Sequence, residues 1–488
     1  MRIQDIILQN TTVHIDKPVD LLRELKPVCN VNDVDENSIF FYPKPLSAKE
    51  YVLPDFKTNP YLAVCDYREL KGEYNFPIAR VKNARRALSF AYSTHNGIDY
   101  KRLKIIGITG TNGKTSTATI LERILTERGK STGFIGTGRV RINGKQITND
   151  EYSMTTPDPS MLYAVLSEMA NAGVEYVVME VSSHALSLYK CAPIDFTLGI
   201  FTNLSSEHMD FYQNKEEYFR TKLTLFERCD KSVFNVDDEY GEKAYNEAKG
   251  EKYSVGVINC ADATVTALKL GASRSEFFYK EQSLIFQVNL KLCGAYNVYN
   301  ALLAAKAAIV LGIPPCIVKK ALCSIDRIEG RFEVIHTSPK IIIDYAHTEE
   351  ALSNLLKFLH STKNIGQNII VVFGCGGNRD KTKRIPMGRT ADKYAQKIII
   401  TEDNSRDENF YDIAENILIG IKEKDKVTVI EDRREAIKTA VRQACKNDII
   451  ALIGKGHERY IINKSGKHPI DESEIVRQAL EERNENEN

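Results

Sequence analysis

A glycine-rich segment near residue 110 has the residue types of a phosphate-binding loop. It reads Gly107-Ile-Thr-Gly110-Thr-Asn-Gly113-Lys114-Thr115. Glycines let backbone N–H groups curl around phosphate oxygens, and a helix that starts after such a loop adds a positive dipole. Lys114 can reach the terminal phosphates of a nucleotide, and the Thr115 hydroxyl can bind Mg²⁺. The segment therefore predicts a nucleotide-binding phosphate loop.

Two other interpretations of this segment remain open. Its spacing departs from the standard Walker A pattern, because Ile108 occupies the position five residues before Gly113. The three glycines also fit a dinucleotide fingerprint, but the next strand candidate, residues 132–135, has no acidic residue at its end to bind ribose. A structural turn without a ligand is the third interpretation. We favour the phosphate loop because a Lys-Thr pair follows the last glycine directly.

The elements around this loop predict a largely parallel α/β sheet. Residues 103–108 form an apolar run typical of a buried strand, and a helical pattern covers residues 115–128. Further strand-like runs follow, with helical stretches between several of them, at residues 176–181, 196–201 and 232–236. This order of strand, turn and helix places the loop at the end of a buried strand.

A second series of alternating strands and helices begins near residue 330. The predicted strands are residues 341–345, 369–373, 397–401, 427–430 and 449–453, and the predicted helices are residues 349–359, 411–421 and 433–445. This alternation is typical of a doubly wound, Rossmann-like sheet, whose ligands bind at the carboxyl ends of the strands. The polar loops after these strands are therefore candidate binding segments.

Length and composition narrow the class of protein. The 488 residues suggest about three domains at roughly 100–200 residues each. Lys and Arg number 66 against 65 Asp and Glu, which argues against a broad basic surface for nucleic acid. Ten scattered cysteines without a CxxC pair argue against a zinc site or a disulfide framework. Early charges argue against a signal peptide, and no apolar run approaches the ~18 residues of a membrane span, so we expect a cytoplasmic protein without membrane contact.

Over about residues 101–465, a series of motifs resembles the Mur ligases. After Gly110-Thr-Asn-Gly113-Lys114-Thr115, they are Thr155-Thr156-Pro157-Asp158-Pro159, Met179-Glu180-Val181-Ser182-Ser183-His184, Thr202-Asn203-Leu204 with His208 and Asp210, Phe219-Arg220-Thr221-Lys222, Gly294-Ala-Tyr-Asn297-Val-Tyr-Asn300, Gly330-Arg331-Phe332-Glu333, Asp344-Tyr-Ala-His347, Gly374-Cys-Gly-Gly377-Asn-Arg379-Asp380 and Gly454-Lys-Gly-His457-Glu458. The similarity is greatest to the members that add diaminopimelate or lysine to UDP-MurNAc-L-Ala-D-Glu. It implies an enzyme that uses ATP and Mg²⁺ to form an amide through an acyl phosphate.

The resemblance also implies an ATP site and a metal site. Implied ATP-binding residues are Gly110, Thr111, Asn112, Gly113, Lys114, Thr115, Ser116, Asn297, Arg331 and Asp344. Without the resemblance, the last three are interpreted as capping and surface-pairing residues. Implied metal ligands are Thr115, Glu180, His208 and a carbamylated Lys222, and the catalytic set is Lys114, Lys222, Glu180 and His208. From the residues alone, Glu180 could be an exposed carboxylate at a strand end, His208 a surface histidine and Lys222 a solvated helix lysine.

The amino-acid substrate is assigned to the third domain on the same resemblance. The implied residues are Arg379, Asp403, Asn404, Ser405, Arg406, Gly454 and Glu458. Asp403-Asn-Ser-Arg406 resembles the family's Asp-Asn-Pro-Arg motif with serine in place of proline. A guanidinium fork suits the extra carboxylate of diaminopimelate, and lysine-adding relatives lack this arginine. We favour meso-diaminopimelate over lysine, while turn residues remain the alternative for Asn404 and Arg406.

The nucleotide-sugar side departs from the family pattern. Implied substrate residues are Thr155, Thr156, Ser182 and Lys190. Met154 stands where the family usually has asparagine, Leu188 and Lys190 replace glutamine and arginine, and residues 30–40 lack the usual Ser-Arg pair. Because these departures concern the recognition of UDP-MurNAc-dipeptide, a related ligase that uses lysine or another amine, or a different acyl acceptor, is an alternative. A phosphate-loop ATPase or kinase and a nucleotide-binding pseudoenzyme are two others.

The predicted architecture is α/β with three domains. Residues 1–100 form a smaller α/β domain for the nucleotide sugar, residues 101–327 a phosphate-loop domain with a mainly parallel sheet, and residues 328–488 a Rossmann-like domain for the amino acid. The expected partners are small-molecule substrates, UDP-MurNAc-dipeptide and diaminopimelate, with no nucleic acid, and the expected state is a monomer.

Overall fold

A computed structural model describes residues 1–5, 13–45, 50–67, 70–97, 102–147, 154–205, 207, 209 and 211–487, with side chains up to residue 483. Three sheets of five, eleven and six strands follow one another along the chain, and a separate two-stranded sheet lies near its end. Each large sheet carries its own helices. We refer to these units as the N-terminal, central and C-terminal domains. The predicted α/β class is confirmed.

The N-terminal domain is a small α/β unit. Its strands are β1 (Val13–Ile15), β2 (Lys26–Val28), β3 (Ser38–Tyr42), β4 (Leu62–Asp66) and β5 (Ile78–Val81), in the spatial order β1-β5-β4-β3-β2. β2 to β5 are parallel, and β1 is antiparallel to β5. Helix α1 (Ala84–His95) is capped by the Asn83 side chain and packs its apolar face on the sheet.

The central domain contains an eleven-stranded sheet. The strands are β6 (Lys104–Thr109), β7 (Thr132–Gly136), β8 (Arg139–Ile142), β9 (Lys145–Ile147), β10 (Tyr176–Glu180), β11 (Phe196–Phe201), β12 (Cys229–Asn235), β13 (Glu251–Gly256), β14 (Ala263–Leu270), β15 (Ser275–Glu281) and β16 (Leu284–Leu290). The helices are α2 (Lys114–Glu127), α3 (Pro159–Asn171), α4 (Ser183–Ser187), α5 (Lys215–Leu223), α6 (Glu239–Glu247), α7 (Ala295–Val310) and α8 (Pro315–Ser324).

Strand β6 occupies the middle of this sheet, between β10 and β11. The parallel strands have the order β14-β13-β12-β11-β6-β10-β7, and antiparallel hairpins extend both edges. β6 is apolar and buried on both faces, with Ile105 in one core and Ile106 in the other. The chain leaves β6 toward β7 on one side and later forms β11 on the other. The carboxyl end of β6 is thus a topological switch point, where ligands of parallel sheets bind.

The C-terminal domain has a six-stranded sheet in the order β17-β18-β22-β19-β20-β21, with β17 antiparallel and the others parallel. The strands are β17 (Glu333–Thr337), β18 (Lys340–Asp344), β19 (Ile369–Phe373), β20 (Lys397–Ile400), β21 (Val427–Val429), β22 (Ile449–Ile453) and the separate pair β23 (Tyr460–Asn463) and β24 (Gly466–Pro469). The helices are α9 (Glu349–Thr362), α10 (Arg384–Tyr394), α11 (Phe410–Ile419), α12 (Arg433–Gln443) and α13 (Glu472–Glu487). The alternation expected from residue 330 onward is present.

Candidate active site between the central and C-terminal domains

The glycine-rich segment forms a tight loop between β6 and α2. Gly110 has φ +142° and Gly113 has φ +85°, so both backbones lie in the region that favours glycine. A Cβ atom at Gly110 would lie 1.9 Å from the Thr202 hydroxyl oxygen. The loop is tied to the end of β11, because Thr202 Oγ1 donates to the Asn112 carbonyl at 2.6 Å and the Asn112 amide donates to Asn203 Oδ1 at 2.9 Å. Asn203 was not predicted, although it follows a strand in the Thr-Asn-Leu motif.

Two lysine side chains meet at this loop. Lys114 Nζ donates to the carbonyl oxygens of Gly110 at 2.9 Å and Thr111 at 2.8 Å. Lys222 Nζ, from α5, donates to the same Gly110 carbonyl at 2.9 Å. Lys222 is only 1% exposed, and burial together with the charge of Lys114 lowers the pKa of Lys222 well below its usual value. The interpretation of Lys222 as a solvated helix lysine is therefore wrong.

Glu180 ends β10 next to the loop and is fully buried, so it is not an exposed strand-end carboxylate. Its Oε2 accepts a hydrogen bond from Thr115 Oγ1 at 3.0 Å, and its Oε1 accepts one from the Thr137 amide at 3.2 Å. A carboxylate and a hydroxyl are oxygen ligands of the kind that Mg²⁺ takes together with phosphate oxygens and water. His208, the other expected ligand, lies outside the described residues. Within the described residues, no group of three or more His, Cys, Asp or Glu side chains could hold a metal ion without such additional ligands.

Arg331 links the C-terminal domain to the loop. Its Nη2 donates to Thr115 Oγ1 at 3.0 Å, and its guanidinium lies 4.5 Å from the centre of the Tyr345 ring. Asp344, at the end of β18, accepts hydrogen bonds from the amides of Phe332 and Ala346, both at 2.7 Å. Burial raises the pKa of Asp344. These bonds hold the segment that carries Arg331 against the end of β18.

A cavity of about 570 Å³ opens beside this segment, between the two domains. Its lining includes Asn112, Gly113 and Ser116 from the loop, and Asp344, Tyr345, His347 and Glu350 from the C-terminal domain. Two contacts between the domains involve lining residues: Asn112 Nδ2 donates to Glu350 Oε2 at 3.1 Å, and His347 Nε2 lies 2.9 Å from Glu207 Oε1. The volume falls within the range of about 300–1,000 Å³ typical of small-molecule sites.

Asn297 and Asn300 contribute to this region from α7 in different ways. Asn297 donates to the Cys293 carbonyl at 2.8 Å and is 2% exposed, so it fixes the start of the helix. Asn300 lines the cavity, and its Oδ1 accepts a hydrogen bond from Thr117 Oγ1 at 3.3 Å. The structure thus places Asn300 nearer the loop than Asn297, although both belong to the same sequence motif.

The residues expected for the nucleotide sugar adjoin Glu180. Thr156 Oγ1 donates to the Glu180 carbonyl at 2.9 Å and accepts from the Ser182 amide at 3.0 Å. Thr155 and Thr137 place their hydroxyl oxygens 3.0 Å apart. The structure therefore brings Thr155, Thr156 and Ser182 within one or two hydrogen bonds of the expected metal ligand.

Lys190, the fourth residue expected for the nucleotide sugar, lies in the same region. It is 7% exposed, and its Nζ lies 2.8 Å from Asp158 Oδ1. The hydroxyl of Ser167, on helix α3, donates to the Asn96 carbonyl of the N-terminal domain at 3.3 Å, so that domain lies beside this segment. The exposed Met154 side chain lies 3.4 Å from Lys190 Nζ through its sulfur. The first domain is thus next to the segment expected to bind the sugar substrate.

A second polar cluster lies at the carboxyl ends of β20 and β22. Asn404 Nδ2 donates to Glu458 Oε2 at 3.0 Å, and Lys455 Nζ donates to Asn404 Oδ1 at 3.0 Å and to Glu458 Oε2 at 2.8 Å. Burial would raise the pKa of Asp403, but Lys455 and other nearby cations outweigh it and lower that pKa. Lys455 is fully buried and was not predicted, although it lies within the Gly454-Lys-Gly motif.

Arg406 adjoins this cluster in a left-handed backbone conformation, with φ +51°. Its Nη1 donates to the Gly377 carbonyl at 2.8 Å, and burial together with the charge of exposed Arg379 lowers the pKa of Arg406. Two guanidiniums close together favour a ligand with carboxylate groups. Ser405 instead donates to Glu402 Oε1 at 2.6 Å, so its hydroxyl is engaged within the domain. Gly454, with φ +110°, passes close to Asp403.

The ten cysteines are all free, and no described helix is long and apolar enough to cross a membrane.

Two family models match the chain. The Mur ligase middle domain matches residues 108–308, and the Mur ligase, glutamate ligase domain matches residues 330–456. Together they cover the phosphate loop, the interdomain cavity and most of the second polar cluster.

Similar proteins carry one recurrent name. A UDP-N-acetylmuramoyl-L-alanyl-D-glutamate--2,6-diaminopimelate ligase of Caldanaerobacter subterraneus is 40% identical over 87% of this chain and 88% of its own length. A protein of the same name from Aquifex aeolicus is 39% identical over 83% of each chain. A solved structure with that name shares 26% identity, a TM-score of 0.66 and 99% of both chains. Mycobacterium tuberculosis folylpolyglutamate synthase, solved with ADP and AMPPCP, shares the fold at 18% identity and a TM-score of 0.63, over 75% of this chain and 91% of its own.

Proposed function

Because the chain belongs to the Mur ligase family, we propose that it adds meso-diaminopimelate to UDP-MurNAc-L-Ala-D-Glu in an ATP-dependent reaction. The observation that carries this proposal is the convergence of four side chains on the phosphate loop. Lys114 and Lys222 share the Gly110 carbonyl, Glu180 binds the Thr115 hydroxyl, and Arg331 reaches the same hydroxyl from the other domain. Such an arrangement suits phosphoryl transfer, because catalysis of that reaction comes mainly from positioning and charge neutralisation.

In the proposed reaction, the side-chain carboxylate of the D-Glu residue attacks the γ-phosphorus of ATP. ADP leaves, and the amino group of the second substrate then attacks the acyl phosphate and displaces phosphate. The loop amides and Lys114 hold the phosphates, and Arg331 lies where it can bind the phosphate that moves. Asp344 fixes the segment that carries Arg331. No side chain of the protein forms a covalent bond to substrate in this scheme.

We infer that Thr115 and Glu180 hold Mg²⁺, with His208 and a carbamylated Lys222 as further ligands. When bound, Mg²⁺ neutralises charge on the phosphate oxygens. The chemistry of the described pair fits this ion, since both supply oxygen and both are buried beside the loop. Burial favours the neutral amine of Lys222, which is the form that reacts with carbon dioxide.

The amino acid is proposed to bind at the Asn404, Arg406 and Glu458 cluster, with Arg379 at its edge. Arg406 can hold the distal carboxylate of diaminopimelate in a bidentate way, whereas lysine offers no such group. Asp403 and Glu458 provide negative charge for the distal ammonium. The names of the relatives support the same substrate. We propose that the acyl substrate binds at Thr155, Thr156, Ser182 and Lys190, and that its uridine part lies toward residues 1–100. We also propose that the protein acts as a monomer in the cytoplasm, where ATP is supplied.

One assay tests the proposal. The protein is mixed with ATP, Mg²⁺, UDP-MurNAc-L-Ala-D-Glu and, separately, meso-diaminopimelate, lysine or another amine, and the amide is sought by mass. We expect product with meso-diaminopimelate and none from a Lys114→Ala control. Faster turnover with lysine would reject the amine assignment, and the absence of product with every amine would reject the cell-wall substrate. ADP release that needs no amine would favour a phosphate-loop ATPase instead.

A further inference from the structure

Tyr345 contacts residues at both ends of the candidate site. It follows Asp344 at the end of β18 and lines the cavity of about 570 Å³ between the central and C-terminal domains. Its amide donates to the Gly330 carbonyl at 3.0 Å, so its backbone is fixed beside the segment that carries Arg331. The Tyr345 side chain therefore starts from a rigid point at the junction of the two domains.

The ring of Tyr345 supports the guanidinium that reaches the phosphate loop. The central carbon of the Arg331 guanidinium lies 4.5 Å from the ring centre, and Arg331 Nη2 donates to Thr115 Oγ1 at 3.0 Å. Arg331 Nε has no hydrogen-bond partner among the described residues. A cation over an aromatic face is attracted by the ring quadrupole, and the attraction is greatest where water is excluded. The ring is thus one of the restraints that keep Arg331 against Thr115.

The hydroxyl of Tyr345 contacts the second polar cluster. It donates to Glu458 Oε1 at 3.3 Å. The other carboxylate oxygen, Glu458 Oε2, accepts from Asn404 Nδ2 at 3.0 Å and from Lys455 Nζ at 2.8 Å. Burial, and then the charge of Glu458, raise the pKa of Tyr345 well above its usual value, so the phenol remains a hydrogen-bond donor. One side chain therefore joins the proposed amino-acid site to the residue that reaches the phosphate loop.

Two histidine rings pack against Tyr345. The centre of the His347 ring lies 4.9 Å from that of Tyr345 in an edge-to-face arrangement, and the centre of the His457 ring lies 5.3 Å away in a stacked one. Both histidines also contact the central domain, because His347 Nε2 lies 2.9 Å from Glu207 Oε1 and His457 Nε2 lies 2.8 Å from the Thr137 carbonyl oxygen. The tyrosine ring is thus held as a rigid plate, so a shift of its hydroxyl also moves its face.

We propose that Tyr345 is a positioning residue that couples the second polar cluster to the phosphate loop. This inference rests on the proposed function and deepens it. An ammonium group of the amine substrate beside Glu458 fixes the carboxylate that accepts from Tyr345. The hydroxyl then fixes the ring, and the ring holds Arg331 at Thr115. The phosphoryl group is therefore bound most tightly when the amine is present, and by reciprocity the amine is bound most tightly when the phosphoryl group is present. The binding residues implied by the family resemblance do not include Tyr345.

Binding measurements test this coupling without amide formation. The dissociation constant of ADP with fluoroaluminate, a mimic of the phosphoryl group in transfer, is measured in Mg²⁺ with and without meso-diaminopimelate. In the unmodified protein, the amine should tighten binding of the mimic at least about fivefold. Tyr345→Phe keeps the ring and loses the hydroxyl, so this ratio should fall to within about twofold of one. A ratio of one in the unmodified protein, or an unchanged ratio in Tyr345→Phe, would overturn the proposal.

Removal of the ring separates its role from that of the hydroxyl. Tyr345→Leu should lose the coupling and also weaken binding of the mimic about tenfold in the absence of the amine, because the face under Arg331 is lost. ADP alone should bind within about threefold of the unmodified protein, and Tyr345→Phe should bind the mimic alone as tightly as the unmodified protein does. Equal weakening of the mimic by the two variants would contradict the role of the ring and overturn the proposal.

Tyr253, on β13, offers a matched control. Its hydroxyl also donates to a carboxylate, that of Glu251, and Lys306 Nζ lies 4.2 Å from its ring centre. β13 is separated from the central strand β6 by β12 and β11. Tyr253→Phe should therefore keep the full coupling ratio. Equal losses of the ratio in Tyr253→Phe and Tyr345→Phe would assign the effect to a general loosening of the fold and reject the coupling.

Kinetics of amide formation provide a second measurement. Tyr345→Phe should raise the KM for meso-diaminopimelate about 5–10-fold and leave kcat within about threefold, as for the loss of one hydrogen bond that orders the binding site. A fall in kcat without a change in this KM would overturn the proposal. If the unmodified protein forms no amide, the proposed function fails, and the binding ratio still decides the role of Tyr345. If Tyr345→Leu is insoluble, the ratio in Tyr345→Phe decides alone.

Discussion

Lys114 and Lys222 donate to the same acceptor, the carbonyl oxygen of Gly110, each at 2.9 Å. Two ammonium groups on one buried oxygen would repel each other, and burial first and the charge of Lys114 second lower the pKa of Lys222. Conversion of Lys222 to a carbamate would replace this repulsion by attraction. The arrangement therefore favours a neutral or carbamylated Lys222 beside the Lys114 ammonium over two ammonium groups.

We expect Lys222→Arg to lose activity although it keeps the positive charge, because arginine cannot form the carbamate. The expected loss in kcat is roughly 10²–10³-fold, the cost of removing one preorganised charge at a reacting centre. Incubation with ¹³C-bicarbonate should give a carbamate signal by NMR in the unmodified protein and no such signal in the variant. Wild-type rates in Lys222→Arg would show that a simple cation suffices.

We expect Gly110→Ala to abolish nucleotide binding. Its Cβ would lie 1.9 Å from Thr202 Oγ1, and φ is +142°, so the loop must shift away from β11. Gly129→Ala is the matched control, since Gly129 also has a positive φ, +77°, and a Cβ atom there would meet nothing within 4 Å. The control should cost about 1–2 kcal/mol of stability without affecting nucleotide affinity. Calorimetric titration with ATP and a thermal melt separate the two effects, and tight binding by Gly110→Ala would contradict the loop geometry.

Arg406 should set the preference between amines. Arg406→Gln removes the guanidinium that lies near Asn404 and Gly377, and we expect the KM for meso-diaminopimelate to rise about 10–100-fold, the value of one charge-assisted hydrogen bond. Turnover with lysine should change much less, because lysine lacks the distal carboxylate. Arg442→Gln serves as control, since Arg442 is an exposed partner of Glu435 at 3.6 Å. Equal losses with both amines would place Arg406 in a structural role.

Stability should fall as the pH falls below about 6.5, the ordinary pKa of histidine. Burial first, and then the charges of Arg139, Arg331 and Lys455, lower the pKa of His457 in the folded protein. Below that pH the unfolded chain binds a proton at this histidine that the folded protein does not bind. The unfolded state then binds more protons, and the cost reaches at most about 1.4 kcal/mol for each further pH unit. His457→Phe keeps a ring beside Tyr345 and cannot titrate.

Thermal melts between about pH 5 and pH 8 measure this effect. His457→Phe should have a flatter stability profile on the acid side, while His468→Phe, in the exposed β23–β24 hairpin, should follow the unmodified protein. If the acid slopes of the unmodified protein and His457→Phe coincide, His457 is not the group responsible.

Strands that are apolar and buried on both faces were predictable from the sequence. Phe196–Phe201, Ile369–Phe373 and Ile449–Ile453 match the predicted boundaries, and the other predicted elements differ by no more than three residues at either end. A continuous apolar run bounded by polar turns leaves little choice of structure. The hairpin strands β14 to β16 were not predicted, because their alternating exposed residues, such as Phe278 and Ile285, give a weak local pattern.

The candidate site was predictable only where the chemistry is local. The phosphate loop is recognisable from its glycines, whereas the burial of Lys222 depends on where α5 packs, and its sequence is that of a polar helix. The first 100 residues carry no chemical motif, so the sugar site remains a prediction.

The hydrogen bond between Arg331 and Thr115 joins residues that are 216 positions apart. During synthesis, the loop, Glu180 and Lys222 all leave the ribosome before Arg331 does. A nascent or proteolysed chain that ends in the central domain would retain the phosphate loop but lack the Arg331 guanidinium, which the C-terminal domain contributes. We expect such fragments to hydrolyse no ATP, because the site is complete only when both domains have been synthesised and folded.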